Sequence, residues 1–149
     1  MKILVAYYSQ TGNTKKLAET IARKLNCDID PISDKTDRKG ILGWILAGRD
    51  AFFKRLTHIE HQKKPADYDL VAIGSPVWAG TMAPAVRRYL SNNKCGTVAF
   101  FCTYRGSAGK TFAEMEKLSA VPRAYLGLKA GRIADSNDKI DEFCDALSK

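Results

Sequence analysis

Two hydrophobic periods alternate along this chain. Short runs such as Leu70-Val71-Ala72-Ile73 and Val98-Ala99-Phe100-Phe101 are apolar at every position. A strand of that kind is covered on both faces, as in a parallel sheet flanked by helices. The pattern predicts strands over Lys2–Tyr8, Cys27–Ile32, Leu70–Gly74, Thr97–Cys102 and Ala124–Leu128. Helical periodicity falls between them, over Thr14–Leu25, Ile41–Leu56, Ala83–Asn92, Ala108–Leu118 and Asn137–Leu147. Five βα units of this size predict an α/β fold: a three-layer α/β/α sandwich on a five-stranded parallel sheet. The 149 residues suit one domain over residues 1–149, with a sizeable core.

In open α/β sheets a ligand sits beyond the C-terminal strand ends. The loops after strands one, three and four should therefore converge. The first reads Ser9-Gln10-Thr11-Gly12-Asn13-Thr14. It aims hydroxyls and backbone N–H groups at a helix N-terminus, whose partial positive charge suits a phosphate. Lys15 and Lys16 fall on the helix surface, so a neutral loop does most of the holding. An ordinary N-capped turn would read the same way.

The loop after strand three runs Gly74-Ser75-Pro76-Val77-Trp78-Ala79-Gly80-Thr81. Trp78 can stack on a planar ligand or fold back on the core, and Pro76 stiffens the approach. The loop after strand four runs Cys102-Thr103-Tyr104-Arg105-Gly106-Ser107. It offers Tyr104 as a second aromatic wall, and Gly106 allows close backbone approach. A phosphate cradle and two aromatic loops at one sheet edge describe a flat phosphorylated aromatic ligand, which FMN fits best.

Other chemistries fall away. Gly106, Gly109, Lys110 and Thr111 resemble a P-loop, but Tyr104 stands where the motif needs its first glycine. The ends of strands one and three carry Tyr8 and Gly74, not the aspartates of a phosphoacceptor receiver domain. Cys27, Cys95, Cys102 and Cys144 form no CxxC and read as buried free thiols of a reducing compartment. His58 and His61, with Glu60 between them, read as solvent-facing histidines rather than as a metal site. No apolar run is long enough to span a membrane, and the N-terminal run is too short for a signal peptide. A cytoplasmic location is the expectation.

Charge is the unusual bulk property. The formal balance is +8, and Lys35 to Lys64 carry eight Lys/Arg against three Asp/Glu. Such a segment is a solvated face or a docking surface for an acidic partner. Aromatic interleaving and nucleic-acid motifs are absent, which favours a protein partner over nucleic acid.

Taken with length and element order, the loop Ser9-Gln10-Thr11-Gly12-Asn13-Thr14 resembles the flavodoxin family's phosphate loop, (Ser/Thr)-x-Thr-Gly-x-Thr. Gly74 to Trp78 and Cys102 to Gly106 resemble its two isoalloxazine loops. The resemblance implies strand order 2-1-3-4-5. It implies that Ser9, Thr11, Asn13 and Thr14 hold the FMN phosphate, with N–H groups from Gln10 and Gly12. Trp78 and Tyr104 would flank the ring, with Ser75, Pro76, Val77, Ala79, Gly80, Cys102, Thr103, Arg105 and Gly106 completing the site. The fifth strand lacks the long insertion, so the chain resembles the short-chain type.

Three features depart from the family. The chain is basic where flavodoxins are usually acidic. Ala79 and Gly80 follow the loop aromatic in place of the usual Gly and Asp. The glycine-bearing stretch Lys39–Arg49 reads as a flavin-edge cover, a homodimer contact or a core-facing helix. The implied function is an electron carrier between redox proteins, at least one of them acidic. The loops show no nucleophile–base pair, which favours a carrier over the alternative, an NAD(P)H:quinone-type oxidoreductase of the same fold.

Overall fold

The computed structural model describes residues 1–35 and 57–149. The parallel strands are β1 (Ile3–Tyr7), β2 (Asp28–Pro31), β5 (Leu70–Trp78), β7 (Thr97–Tyr104) and β8 (Tyr125–Lys129). They lie in the order β2-β1-β5-β7-β8, all parallel. Counting only these five, the order is 2-1-3-4-5, as expected. The chain turns outward from β1 to β2, then crosses to the other side of β1 for β5. The switch point therefore falls between β1 and β5.

Strand parity divides the continuous apolar runs between two cores. Val5, Leu70, Ala72, Ala99, Phe101 and Leu126 face α1 (Asn13–Leu25) and α4 (Asn137–Ser148), packing on Leu17, Ile21, Ile140 and Phe143. Leu4, Ala6, Val71, Ile73, Val98 and Phe100 face α2 (Pro84–Asn92) and α3 (Thr111–Leu118), packing on Val86, Tyr89 and Met115. Successive strand residues point to opposite faces, so a run apolar throughout supplies both layers.

Strands three and four run past their expected ends. The register continues through Ser75↔Cys102 and Pro76↔Thr103. Gly74 stays in the strand because the Phe101 ring fills its missing side chain; a Cβ there would lie 2.1 Å from that ring. Pro76 is tolerated near the strand end, where few ladder bonds remain. β5 then folds back on β6 (Thr81–Met82), with Val77↔Met82 and Trp78↔Thr81 antiparallel. Helix α3 starts at Thr111 rather than Ala108.

A second small sheet pairs β3 (Ser33–Asp34) with β4 (Ile59–Glu60), and Lys35 N–H donates to His58 O at 2.7 Å. The returning chain is pinned to β2 by Asp30. That buried carboxylate accepts the N–H groups of Gln62 at 3.1 Å and Lys63 at 2.7 Å. The helix expected over Ile41–Leu56, and most of the basic segment, lie outside the described residues.

Candidate functional site: a cleft at the switch point

The first wall grows from the turn between β1 and α1. Gly12 turns the chain into the helix at φ 101°, ψ −9°, a left-handed conformation that costs a glycine little. Its N–H donates to Ser9 Oγ at 3.1 Å. Lys16 N–H to Gly12 O, 3.0 Å, opens the helical ladder. The N–H groups of Asn13, Thr14 and Lys15 precede it and have no intrahelical acceptor. No side chain caps this helix. Asn13 Nδ2 donates to Thr11 Oγ1 at 3.3 Å. Ser9 and Thr11 thus accept internally, and each hydroxyl retains a proton to donate. Thr14 is buried, its hydroxyl 2.8 Å from Thr103 Oγ1, which ties this wall to β7.

The second wall is the β5–β6 hairpin. Ala79 at φ 50° and Gly80 at φ 81° are its two central residues, the signature of a type I′ turn. The hairpin is braced from behind. Ser75 Oγ accepts the Ala83 N–H at 2.9 Å and donates to Pro76 O at 2.8 Å. Trp78 lines the cleft and meets Tyr8 edge-on, with centroids 5.7 Å apart at 85°.

The third wall is the segment from Thr103 to Lys110. Tyr104 packs beside Gly127, where a Cβ would come 3.4 Å from its ring. Gly109, at φ 55°, sits against the hairpin, and the Lys110 N–H donates to Gly80 O at 2.7 Å. The second and third walls are therefore joined through their backbones.

These walls enclose a cleft of about 470 Å³, within the usual range for small-molecule sites. Of the expected site residues, Gln10, Thr11, Asn13, Pro76, Val77, Trp78, Gly80, Thr103, Tyr104, Arg105 and Gly106 line it. Ser9, Gly12, Thr14, Ser75, Ala79 and Cys102 are outside the lining; of these, Thr14, Ser75 and Cys102 are buried. Cys102 is fully buried, and burial pushes its thiol up to about 12, so it acts as a packing group. Sequence reasoning missed Ser107 and Ala130. Ser107 adjoins Gly106 and could have been included. Ala130 follows the fifth strand and has no side-chain chemistry to signal its place. Among the described residues the lining holds no carboxylate, histidine or thiol. No cluster of potential metal ligands occurs among them either, and none of their helices is long and apolar enough to cross a membrane.

Solved structures share this architecture. A flavoprotein from Lactobacillus acidophilus in complex with FMN is 26% identical, with a TM-score of 0.65 over 94% of this chain and 98% of that one. A flavoprotein from Bacteroides eggerthii is 26% identical, with a TM-score of 0.68 over the same shares. Megasphaera elsdenii flavodoxin, at 15% identity and a TM-score of 0.59 over 97% of this chain and 96% of that one, shares the fold. No curated protein matches the sequence. The flavodoxin family's sequence model matches residues 2–146, nearly the whole chain. With its strand order, its uncapped hydroxyl-rich turn and its cleft at the switch point, the chain belongs to the flavodoxin family, as a short-chain member.

Proposed function

We propose that this protein is an FMN-dependent electron carrier that passes electrons between redox proteins. One observation carries the reading. An uncapped helix N-terminus with a hydroxyl-bearing turn and two aromatic-bearing walls meet at a single cleft. The L. acidophilus relative, solved with FMN, supports the same cofactor here.

The residues present fit such a group. The N–H groups of Asn13, Thr14 and Lys15, with the O–H groups of Ser9 and Thr11, offer donors to a terminal phosphate without spending a positive side chain. Trp78 and Tyr104 offer flat apolar faces to a ring system. Val77 and Pro76 exclude water beside it. The hairpin brace at Ser75 and the Lys110–Gly80 bond fix the walls in advance, which lowers the ordering cost of binding. Bound FMN would supply one- and two-electron redox chemistry, with the protein setting its exposure and electrostatics. The described lining holds no carboxylate, histidine or thiol, and a bound flavin would itself carry the electrons, which supports the carrier reading.

The purified protein should take up FMN. Thr11→Ala should weaken FMN by about 1.5–3 kcal/mol, the worth of a hydrogen bond to a charged oxygen, while riboflavin affinity changes far less. Equal losses for both ligands would move the phosphate elsewhere. Sustained NADH oxidation with a quinone would replace the carrier reading with an oxidoreductase.

A further inference from the structure

We propose that the cleft rim is a cationic docking collar for a redox protein with an acidic face, an inference that rests on the flavin reading above. Six exposed cations lie on the segments that follow the C-terminal ends of β1, β7 and β8, the sheet edge that holds the cleft; Arg105 is in the lining itself. Lys15 and Lys16 lie in the first turn of α1, and Arg105 and Lys110 in the segment between β7 and α3. Lys129 ends β8, and Arg132 closes the short helix Ala130–Arg132 that follows.

Little opposes them. Glu19 is 4.0 Å from Lys15 and Asp135 is 3.8 Å from Arg132, both in exposed pairs that bind weakly. Glu114 is turned to Arg87 and Lys117. Lys16, Arg105, Lys110 and Lys129 form no ion pair among the described residues. Several acidic side chains lie elsewhere, while Asp34 and Glu60 sit on the β3–β4 pair beyond β2, with Glu60 3.9 Å from Lys35. Asp138, Asp141, Glu142 and Asp145 share a groove on α4. Asp67 and Asp69 precede the start of β5, at the far end of the sheet.

Among the described residues, the positive charge on these segments thus exceeds the negative charge paired with it, at the edge where electrons must enter and leave. Charges within a screening length of about 8 Å of the opening steer any partner that approaches it. An acidic surface is drawn in and a basic one repelled. The cations are spread over three separate segments at one sheet edge and form no continuous basic run, which favours a protein face over a nucleic-acid backbone.

The test uses the FMN-loaded protein, reduced with dithionite and mixed with one of two small acceptors in stopped flow. Ferricyanide is anionic and hexaammineruthenium(III) cationic. Each takes one electron, its metal going from +3 to +2. Two equivalents return each reduced flavin to the oxidised form, with the protons released to solvent. From about 0.01 M to about 1 M salt, screening shortens from ~30 Å to ~3 Å. The ferricyanide rate should fall about tenfold and the ruthenium rate should rise. The triple change Lys15→Glu, Lys16→Glu, Lys129→Glu should reverse both slopes. An equal charge change before the N-terminal ends of β1, β7 and β8, Lys2→Glu, Lys94→Glu, Arg123→Glu, should leave their signs in place. Lys129→Glu alone should flatten them partway, which keeps the test decisive if the triple variant binds FMN poorly. Polyglutamate should slow ferricyanide oxidation of the unaltered protein but not of the rim variant. Identical responses from the two triple variants would reduce the effect to net charge and overturn the collar. So would duplex DNA competing better than polyglutamate, or a ferricyanide rate that rises with salt. If FMN itself does not bind, the flavin reading fails first; bound FMN with slopes of the wrong sign defeats the collar alone.

Discussion

Gly109→Ala puts the joint between the two aromatic walls under direct strain. A Cβ at Gly109 would lie 2.4 Å from Gly80 O and 3.0 Å from Gly80 C and Cα. Those are backbone atoms at the centre of a tight turn, so no side-chain rotation relieves the contact. Residue 109 also sits at φ 55°, where an L side chain costs about 1–2 kcal/mol. Moving the carbonyl away breaks the 2.7 Å bond from the Lys110 N–H, worth about 0.5–1.5 kcal/mol. The expected loss is about 2–4 kcal/mol, a large share of a domain's ~5–15 kcal/mol. Urea unfolding of the apoprotein should show a lower midpoint at unchanged slope. Amide exchange at Lys110 should quicken at the same time. Gly106→Ala is the matched control: it meets nothing within 4 Å, and its φ lies outside the left-handed region. It should be neutral or gain up to ~1 kcal/mol. A Gly109→Ala protein within about 0.5 kcal/mol of the parent, with Lys110 still protected, would show that the walls are not joined here.

Ala79→Gly should stabilise the apoprotein by about 0.5–1 kcal/mol, since Ala79 already occupies φ 50° and glycine removes that strain at some entropic cost; a lower melting temperature would refute it. Thr14→Val should cost about 1–3 kcal/mol by leaving the buried Thr103 hydroxyl without its 2.8 Å partner, and Thr14→Ser should restore most of it in the same urea assay. Burial pushes the thiols of Cys27, Cys95 and Cys144 up to about 11 and that of Cys102 to about 12. Unfolded thiols lose their protons near 8.5, so the folded state holds more protons above that pH. Stability should be intact below about pH 8.5 and fall steadily toward pH 11, and a urea midpoint that rises over that window would contradict the burial.

The sequence alone determined the sheet, because chemistry and period agree there. Val98-Ala99-Phe100-Phe101 can satisfy both neighbouring layers only as a doubly covered strand. The turn at Ser9–Thr14 was also legible, since hydroxyls and a glycine between a strand and a helix are local signals. The strand ends were not. Gly74 and Pro76 are local strand breakers, and only the Phe101 ring packed over Gly74 and the pairing with Cys102 and Thr103 keep β5 running to Trp78. The place of Trp78 was likewise undecided until Tyr8 came against it. Gly109, read locally as part of a P-loop imitation, is instead the residue that lets α3 approach the Gly80 carbonyl. That contact joins positions far apart in sequence, and no local propensity records it. Local composition decides which backbone conformations are cheap at each residue. Only tertiary packing decides which of them are used, because the free energy that selects them comes from groups distant along the chain.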